Sequence, residues 1–267
     1  MVQTYLVIAA VCLLASTAGA ICGIGGGVII KPVLDALDIL PVATINFLSG
    51  VTVLCMTTYS VLRSRASGRS AVDGATATPL AIGAAVGGVC GKQLYSFVAS
   101  LFADPDVAGA CQAAALAVIT FGTLVYTLNK DRIATRRVTG AAPSVAIGCA
   151  LGIMSSFLGI GGGPINLVVL FHFYSMDAKT AAQNSLYIIL FSQATSTLIA
   201  LFTTDLSSVS AGLLALMAVC GILGGMVGRA INAHIDAKQV DKLFAGLMVV
   251  IIGICIYNFM RLSGFAA

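Results

Sequence analysis

Long apolar runs, each about the length of a bilayer crossing, alternate with short polar breaks along the whole chain. A span needs about 20 mostly apolar residues, and eight stretches qualify: 4–21, 42–62, 74–100, 107–128, 141–158, 180–202, 208–231 and 240–260. Two shorter apolar pieces lie at 28–40 and 164–176, and polar breaks fall at 63–73, 103–106, 129–139, near Asp205 and at 232–239. No run shows the apolar–polar alternation of a strand, so the pattern predicts an all-α chain. Composition sharpens this reading. The chain is 59% hydrophobic and only 9% charged, where soluble domains carry roughly 25% charged residues. The expectation is an integral membrane protein of about eight membrane segments.

Two phrases punctuate the pattern. Gly23-Ile24-Gly25-Gly26-Gly27 follows the first apolar run, and Gly159-Ile160-Gly161-Gly162-Gly163 follows the fifth. Four glycines in five residues break a helix, because each costs about 1 kcal/mol relative to alanine inside one. A shift of 136 residues lays one phrase on the other and Ser49 on Ser185. A shift of 137 lays Gly87-Gly88-Val89-Cys90-Gly91-Lys92 on Gly224-Gly225-Met226-Val227-Gly228-Arg229, and Gly122 and Tyr126 meet Gly253 and Tyr257 at a slightly shorter shift. Matches in the same order indicate an internal duplication, with repeats at 1–133 and 134–267. If each glycine break folds its helix back, every repeat crosses an odd number of times and the two are inverted. Eleven of the fourteen Lys/Arg then share the cytoplasmic side, with Lys31, Lys92 and Arg261 outside, against eight of fourteen for parallel repeats. The positive-inside rule selects inverted repeats with both termini outside.

A backbone break at membrane depth is tolerated around a cavity or inside protein. The helix restarting after it aims its amides and positive dipole end at that cavity, which suits an anion. The expected substrate site therefore comprises Gly23, Gly25, Gly26, Gly27, Gly159, Gly161, Gly162 and Gly163. Asn166 supplements it in the first turn after Pro164. The polar cluster Gln183, Asn184 and Ser185, with Asn46 and Ser49 in the matching region, is expected to line the pathway. Gln193 lies deeper in the same span. The plainer uses of these residues are helix packing through small side chains and interhelical hydrogen bonding. The chain has no glutamate, and every aspartate lies in or beside a loop, so the membrane interior is read as lacking a carboxylate. Such a cavity favours an anion over a cation. Lys92 and Arg229, at matching positions near span ends, either snorkel to the headgroups or draw anions into opposite vestibules. Lys31 is the one basic residue close to a glycine phrase, and His172 reads as a buried, hydrogen-bonded side chain.

Several classes drop out. There is no Ser/His/Asp or Cys/His constellation, P-loop, H-E-x-x-H motif or pair of carboxylates, so the chain is not read as an enzyme and no catalytic residue is assigned. Val28 and Pro164 stand where a dinucleotide fingerprint would need glycine. The eight cysteines are scattered without metal-site spacing, so no metal and no cofactor are expected. Basic residues sit in short clusters between spans and report topology rather than nucleic-acid binding. The N-terminal run lacks a Lys/Arg-rich leader and is read as the first membrane segment. The expected partners are a small anionic substrate and the lipid bilayer, and the pattern sets no oligomeric state.

The phrase G-I-G-G-G followed by Pro32, and G-I-G-G-G-P-I-N over 159–166, resemble those of the sulfite exporter TauE/SafE family. The run Ala181 to Leu186 is similar to its Ala/Thr-Ser-Leu pattern, as is G-x-x-G-[K/R] ahead of each half's last span. The resemblance covers essentially the whole chain. It departs at Asn46-Phe47-Leu48-Ser49, where Thr-Ser-Leu is expected, and at Asn184, which replaces the threonine. The resemblance implies a secondary transporter of sulfur-containing anions (sulfite, sulfoacetate or other organosulfonates) in the plasma membrane. Alternating access between inverted repeats is the expected mechanism, and a passive anion channel with the same amide-lined site is the alternative.

Overall fold

The structure is a computed structural model describing residues 2–68, 70–102, 105–160, 162–203 and 209–263. Among these residues it contains helices and connecting loops and no strand. The helices are α1 (Val2–Cys22), α2 (Gly27–Leu37), α3 (Val42–Ala66), α4 (Gly74–Ser100), α5 (Pro105–Asn129), α6 (Ala141–Phe157), α7 (Pro164–Tyr174), α8 (Ala178–Thr203), α9 (Ala211–His234) and α10 (Ala237–Leu262). A 3₁₀ turn, Lys130–Arg132, follows α5. Seven of them, α1, α3, α4, α5, α8, α9 and α10, are long and apolar enough to cross a membrane. Of the eight expected spans the exception is 141–158, because α6 has 17 residues.

Both glycine phrases reverse the chain. A Cβ added at Gly19 would lie 2.5 Å from the Gly26 nitrogen, and one at Gly26 3.0 Å from Ser16 Cα, so α2 runs back along α1. Ile30 and Leu34 share one apolar cluster with Ile8, Cys12 and Ala15. In the second half the Tyr174 hydroxyl at the end of α7 donates to Ser144 Oγ at the start of α6, 2.9 Å away. The lead-in to α6 is pinned to the same end, Val138 N–H donating to the Phe173 carbonyl at 2.8 Å. α2 and α7 are each 11 residues, about 17 Å of rise and roughly half a bilayer core. They close with the same left-handed residue, Asp38 at φ 52° and Ser175 at φ 53°.

The packing partners repeat as well. α1 packs on α9 as α6 packs on α4, α3 on α9 as α8 on α4, and α2 on α10 as α7 on α5. Equivalent helices run antiparallel. Lys130 at the end of α5 pairs with Asp241 at the start of α10, while Gly109 near the start of α5 abuts Leu262 at the end of α10. Ser64 at the end of α3 bonds Gln183 at the start of α8. Antiparallel equivalents are what an in-plane two-fold axis produces, so the repeats are inverted. One face of the bundle gathers the start of α1 and α9, where Tyr5 donates to Ser210 at 3.4 Å, and the ends of α2 and α10, where Arg261 pairs with Asp38 at 3.0 Å. The other face gathers the ends of α3 and α9 and the starts of α8 and α10. The outer surface is apolar, with Leu14, Val118 and Phe202 exposed, as contact with acyl chains requires.

Candidate functional site

The two breaks meet at the centre of the bundle. Gly23 (φ 76°) and Gly159 (φ 67°) hold the same left-handed backbone, which side chains with a Cβ adopt only under strain. Gly27, the first residue of α2, presses so closely on the Ile160 carbonyl that a Cβ would overlap it. Ile24 and Ile160 are buried together in the main apolar cluster. The N-terminus of α2 is thus sealed against the second break and does not face open space. Gly159 abuts the Asn46 amide and Gly162 (φ 138°) the Ile189 side chain. Gly163 precedes Pro164 in extended backbone. Gly161 lies outside the described residues.

Two cavities flank this seal, one towards each face. The first is lined by Asn46, Gly50, Lys92, Tyr95, Ser155, Ser156, Gly159, Gln193, Ser196 and Thr197, with a volume of about 20 Å³. That is room for about one water. The second is lined by Ala20, Ser60, Val61, Ser64, Ala182, Gln183, Leu186, Arg229 and Asn232, with Arg63 and Lys179 nearby, and holds about 510 Å³. A shift of 136 or 137 residues carries the first lining onto the second: Asn46 onto Ala182, Lys92 onto Arg229, Ser156 onto Ala20, Ser196 onto Ser60. The repeat therefore sets one cation-bearing cavity towards each face, one small and one large. Lys92 stands 5.7 Å from the Tyr95 ring. Arg229 donates to the Ser60 carbonyl at 2.8 Å and to Ser67 Oγ at 2.9 Å, which holds the guanidinium across the end of α3.

The remaining expected residues divide by how their polar atoms are used. Asn184 is fully buried and committed to the α3–α4 loop: Oδ1 accepts from the Asp73 N–H at 3.2 Å, and Nδ2 donates to the Ala71 and Thr180 carbonyls at 3.1 and 2.8 Å. Gln183 Oε1 accepts from the Ala71 N–H at 2.9 Å and Ser64 Oγ at 3.1 Å at the wall of the open cavity. Asn46 and Asn166 are buried with their Oδ1 atoms unpartnered. Ser49 and Ser185, equivalent by the repeat, are buried completely with unpartnered hydroxyls, as is Ser16 against Gly26. Buried polar atoms are nearly always hydrogen-bonded, so these unpartnered groups are exceptions. Sequence reasoning missed Ser16 and Ser155, whose small side chains inside apolar runs carry no signal of their own. His172 is half-buried between the Tyr126 and Phe173 rings, its Nδ1 unpartnered.

Two expectations are overturned. His172 is half-buried rather than buried, and its Nδ1 makes no hydrogen bond. The bundle does bury a carboxylate: Asp35, in α2, is 6% exposed and pairs at 2.7 Å with Lys31, 3% exposed. Asp35 reads as lying beside a loop because α2 is short and ends two residues later, but α10 covers it.

The family model for sulfite exporter TauE/SafE matches residues 8–254. The chain belongs to the sulfite exporter TauE/SafE family. Membership makes it a multi-pass membrane transporter of sulfite-type anions, and the match covers both glycine phrases and both cavities. No curated protein and no solved structure matches the chain.

Proposed function

We propose that this TauE/SafE protein is a secondary carrier moving small sulfur-containing anions (sulfite, sulfoacetate or other organosulfonates) across the plasma membrane by alternating access. The observation that carries the reading is the pair of repeat-related cavities, about 20 and 510 Å³, on either side of the sealed contact between Gly27 and Ile160. Two inverted repeats, 1–133 and 134–267, exchange roles: when the Lys92 cavity opens, the Arg229 cavity closes. The positive-inside rule places the open cavity, with Arg63, Lys179 and Arg229, on the cytoplasmic side and both termini outside. The anion enters past Lys92 or Arg229. It meets amides of the glycine breaks and the polar groups of Asn46, Ser49, Asn166, Gln183 and Ser185 as the seal shifts.

A passive channel would need a continuous passage, and the apolar contact of Ile24 with the second break speaks against one in this conformation. Liposomes containing purified protein and loaded with unlabelled sulfite or sulfoacetate test the choice. A carrier accumulates the labelled anion transiently by exchange, and this counterflow saturates. Flux that ignores the anion loaded inside, or large single-channel currents, would replace the carrier by a channel.

A further inference from the structure

Lys31 and Asp35 are, among the described residues, the two charged side chains buried in the bundle. Burying an ion pair is expensive, and apolar residues of similar size commonly do as well or better for stability. The repeat supplies the control within the same molecule. A shift of 136 residues carries Lys31 onto Leu167 and Asp35 onto Phe171, both buried and apolar in the matching half-helix α7. The architecture thus accepts an apolar pair at these positions, and the charged pair in α2 calls for a use beyond folding.

The surroundings suggest that use. Asp35 spends Oδ2 on the Lys31 ammonium, whereas its buried Oδ1 has no partner. It lines a third cavity of about 240 Å³ with Asp38, Asp106 and Arg261, and Asp38, 78% exposed, stands at the rim. The groups facing it are few. From α10, Arg261 donates to the Asp35 main-chain carbonyl and pairs with Asp38, and the Cys255 thiol lies within electrostatic reach of both Lys31 and Asp35. From α5 comes Asp106, and from α4 Tyr95, close enough to feel the Asp35 charge. α1 carries no Asp, Glu, Lys or Arg, and the basic residues of α3, Arg63 and Arg65, lie at its far end. Tyr95 also lines the Lys92 cavity. Asp35 therefore lines a cavity at one face, and its charge reaches Tyr95 on the wall of the Lys92 cavity.

We infer that Lys31 and Asp35 couple anion transport to protons, as a symport. The inference rests on the carrier reading above. In the empty protein the Asp35 carboxylate neutralises Lys31. A proton arriving through the third cavity adds to the carboxylate, leaving the Lys31 ammonium charged and without its counter-ion. One anionic group of the substrate takes that place, so the buried site gains one proton and one negative charge together. Release reverses both steps, and the ammonium keeps its protons throughout. Neither partner loads alone, because each alone leaves an uncompensated buried charge.

The test uses full-length protein in liposomes with the membrane potential clamped to zero and labelled sulfoacetate, which stays ionised between pH 6 and 8 (roughly, as a carboxylate and a sulfonate do). An inward proton gradient is expected to drive accumulation several-fold above equilibrium in the wild type. Asp35→Asn is expected to keep counterflow and lose the gradient-driven accumulation. Lys31→Met is expected to lose both. Gradient-driven accumulation that survives in Asp35→Asn, wild-type counterflow indifferent to the gradient, or accumulation driven by the opposite gradient would each overturn the coupling. Absence of counterflow with sulfite and sulfoacetate in the wild type would instead overturn the carrier reading and the coupling with it. If Asp35→Asn does not fold, the apolar pair Lys31→Leu/Asp35→Phe, copied from α7, tests the same point through proton uptake on adding sulfoacetate in weak buffer. Wild type takes up protons and the double variant does not; equal uptake would sink the proposal.

Discussion

The helix pair α4/α6 and its repeat-related partner α9/α1 are built to one plan and packed to different tightness. On α4, Cβ atoms at Gly83, Gly87 and Gly91 would overlap the carbonyls of Val145, Cys149 and Ile153, and α6 answers with Gly148 and Gly152 against the carbonyls of Leu80 and Ala84. In the other pair only α9 supplies the stripe. Cβ atoms at Gly224 and Gly228 would overlap Ser16 Cβ and the Thr17 carbonyl, whereas α1 carries Cys12 and Ser16 where α6 has glycines. Backbones approach most closely when both helices give up their side chains. The tight pair walls the nearly closed Lys92 cavity and the looser pair walls the open Arg229 cavity. The difference teaches that two halves built to one plan diverge through one or two small residues, the smaller cavity lying beside the tighter pair.

The comparison can be broken at several points. The largest effect is expected at the seal. Gly27→Ala abolishes counterflow, because its Cβ meets a main-chain carbonyl. The equivalent Gly163→Ala, whose Cβ meets only the end of the Ile160 side chain at 3.0 Å, keeps most of it. Next come the stripes. Gly87→Ala destabilises by about 3 kcal/mol and Gly224→Ala by about 1 kcal/mol, read as a larger drop in thermal midpoint for the first. Equal drops would mean that the two pairs are alike after all. Lys92→Gln and Arg229→Gln each raise the KM for anion entering from their own face about tenfold, equivalent to about 1.4 kcal/mol, with the opposite face unaffected.

The smallest effect concerns how the hairpins hand over to the next helix. Pro41 heads α3, whereas Asp177 heads α8 and accepts from the Lys179 and Thr180 N–H groups at 2.9 and 3.1 Å. Partial burial pushes the Asp177 carboxyl up, but hydrogen bonds from the Thr180 hydroxyl and these amides outweigh it and hold it below its ordinary value. Asp177→Ala therefore lowers stability by about 1 kcal/mol near neutral pH. The sign follows from linkage. A depressed carboxyl contributes fully above its unfolded value, and the contribution fades as the pH falls through the folded one. The wild-type advantage should thus shrink in acid, as thermal melts at pH 7 and pH 3 would show.

Much of this was legible in the chain itself. The doubled glycine phrase located both reversals, and the charge bias chose inverted over parallel repeats, which the antiparallel α5/α10 pairing bears out. Lys92 and Arg229, matched by the repeat, line matching cavities. Asn184 shows where reading stops: its amide holds a loop 111 residues away, a partnership that no local pattern records. Asp35 was hidden for the same reason, since its burial is made by α10, more than 200 residues on. Local periodicity reports the face a helix turns inward. It does not report which distant helix covers the end of a short one.

Each half-chain holds one hairpin that returns to the side it left and three helices that go across. An odd number of crossings has a genetic consequence. A tandem copy of such a gene segment is threaded into the bilayer upside down without any change to its codons, so duplication and inversion are a single event. The opposed mouths arrive together with the second copy. What selection must then supply is only divergence: a lysine and an aspartate in one half-helix, a few extra glycines in one pair of partners, and enough positive charge in the loops to hold the fused chain one way up.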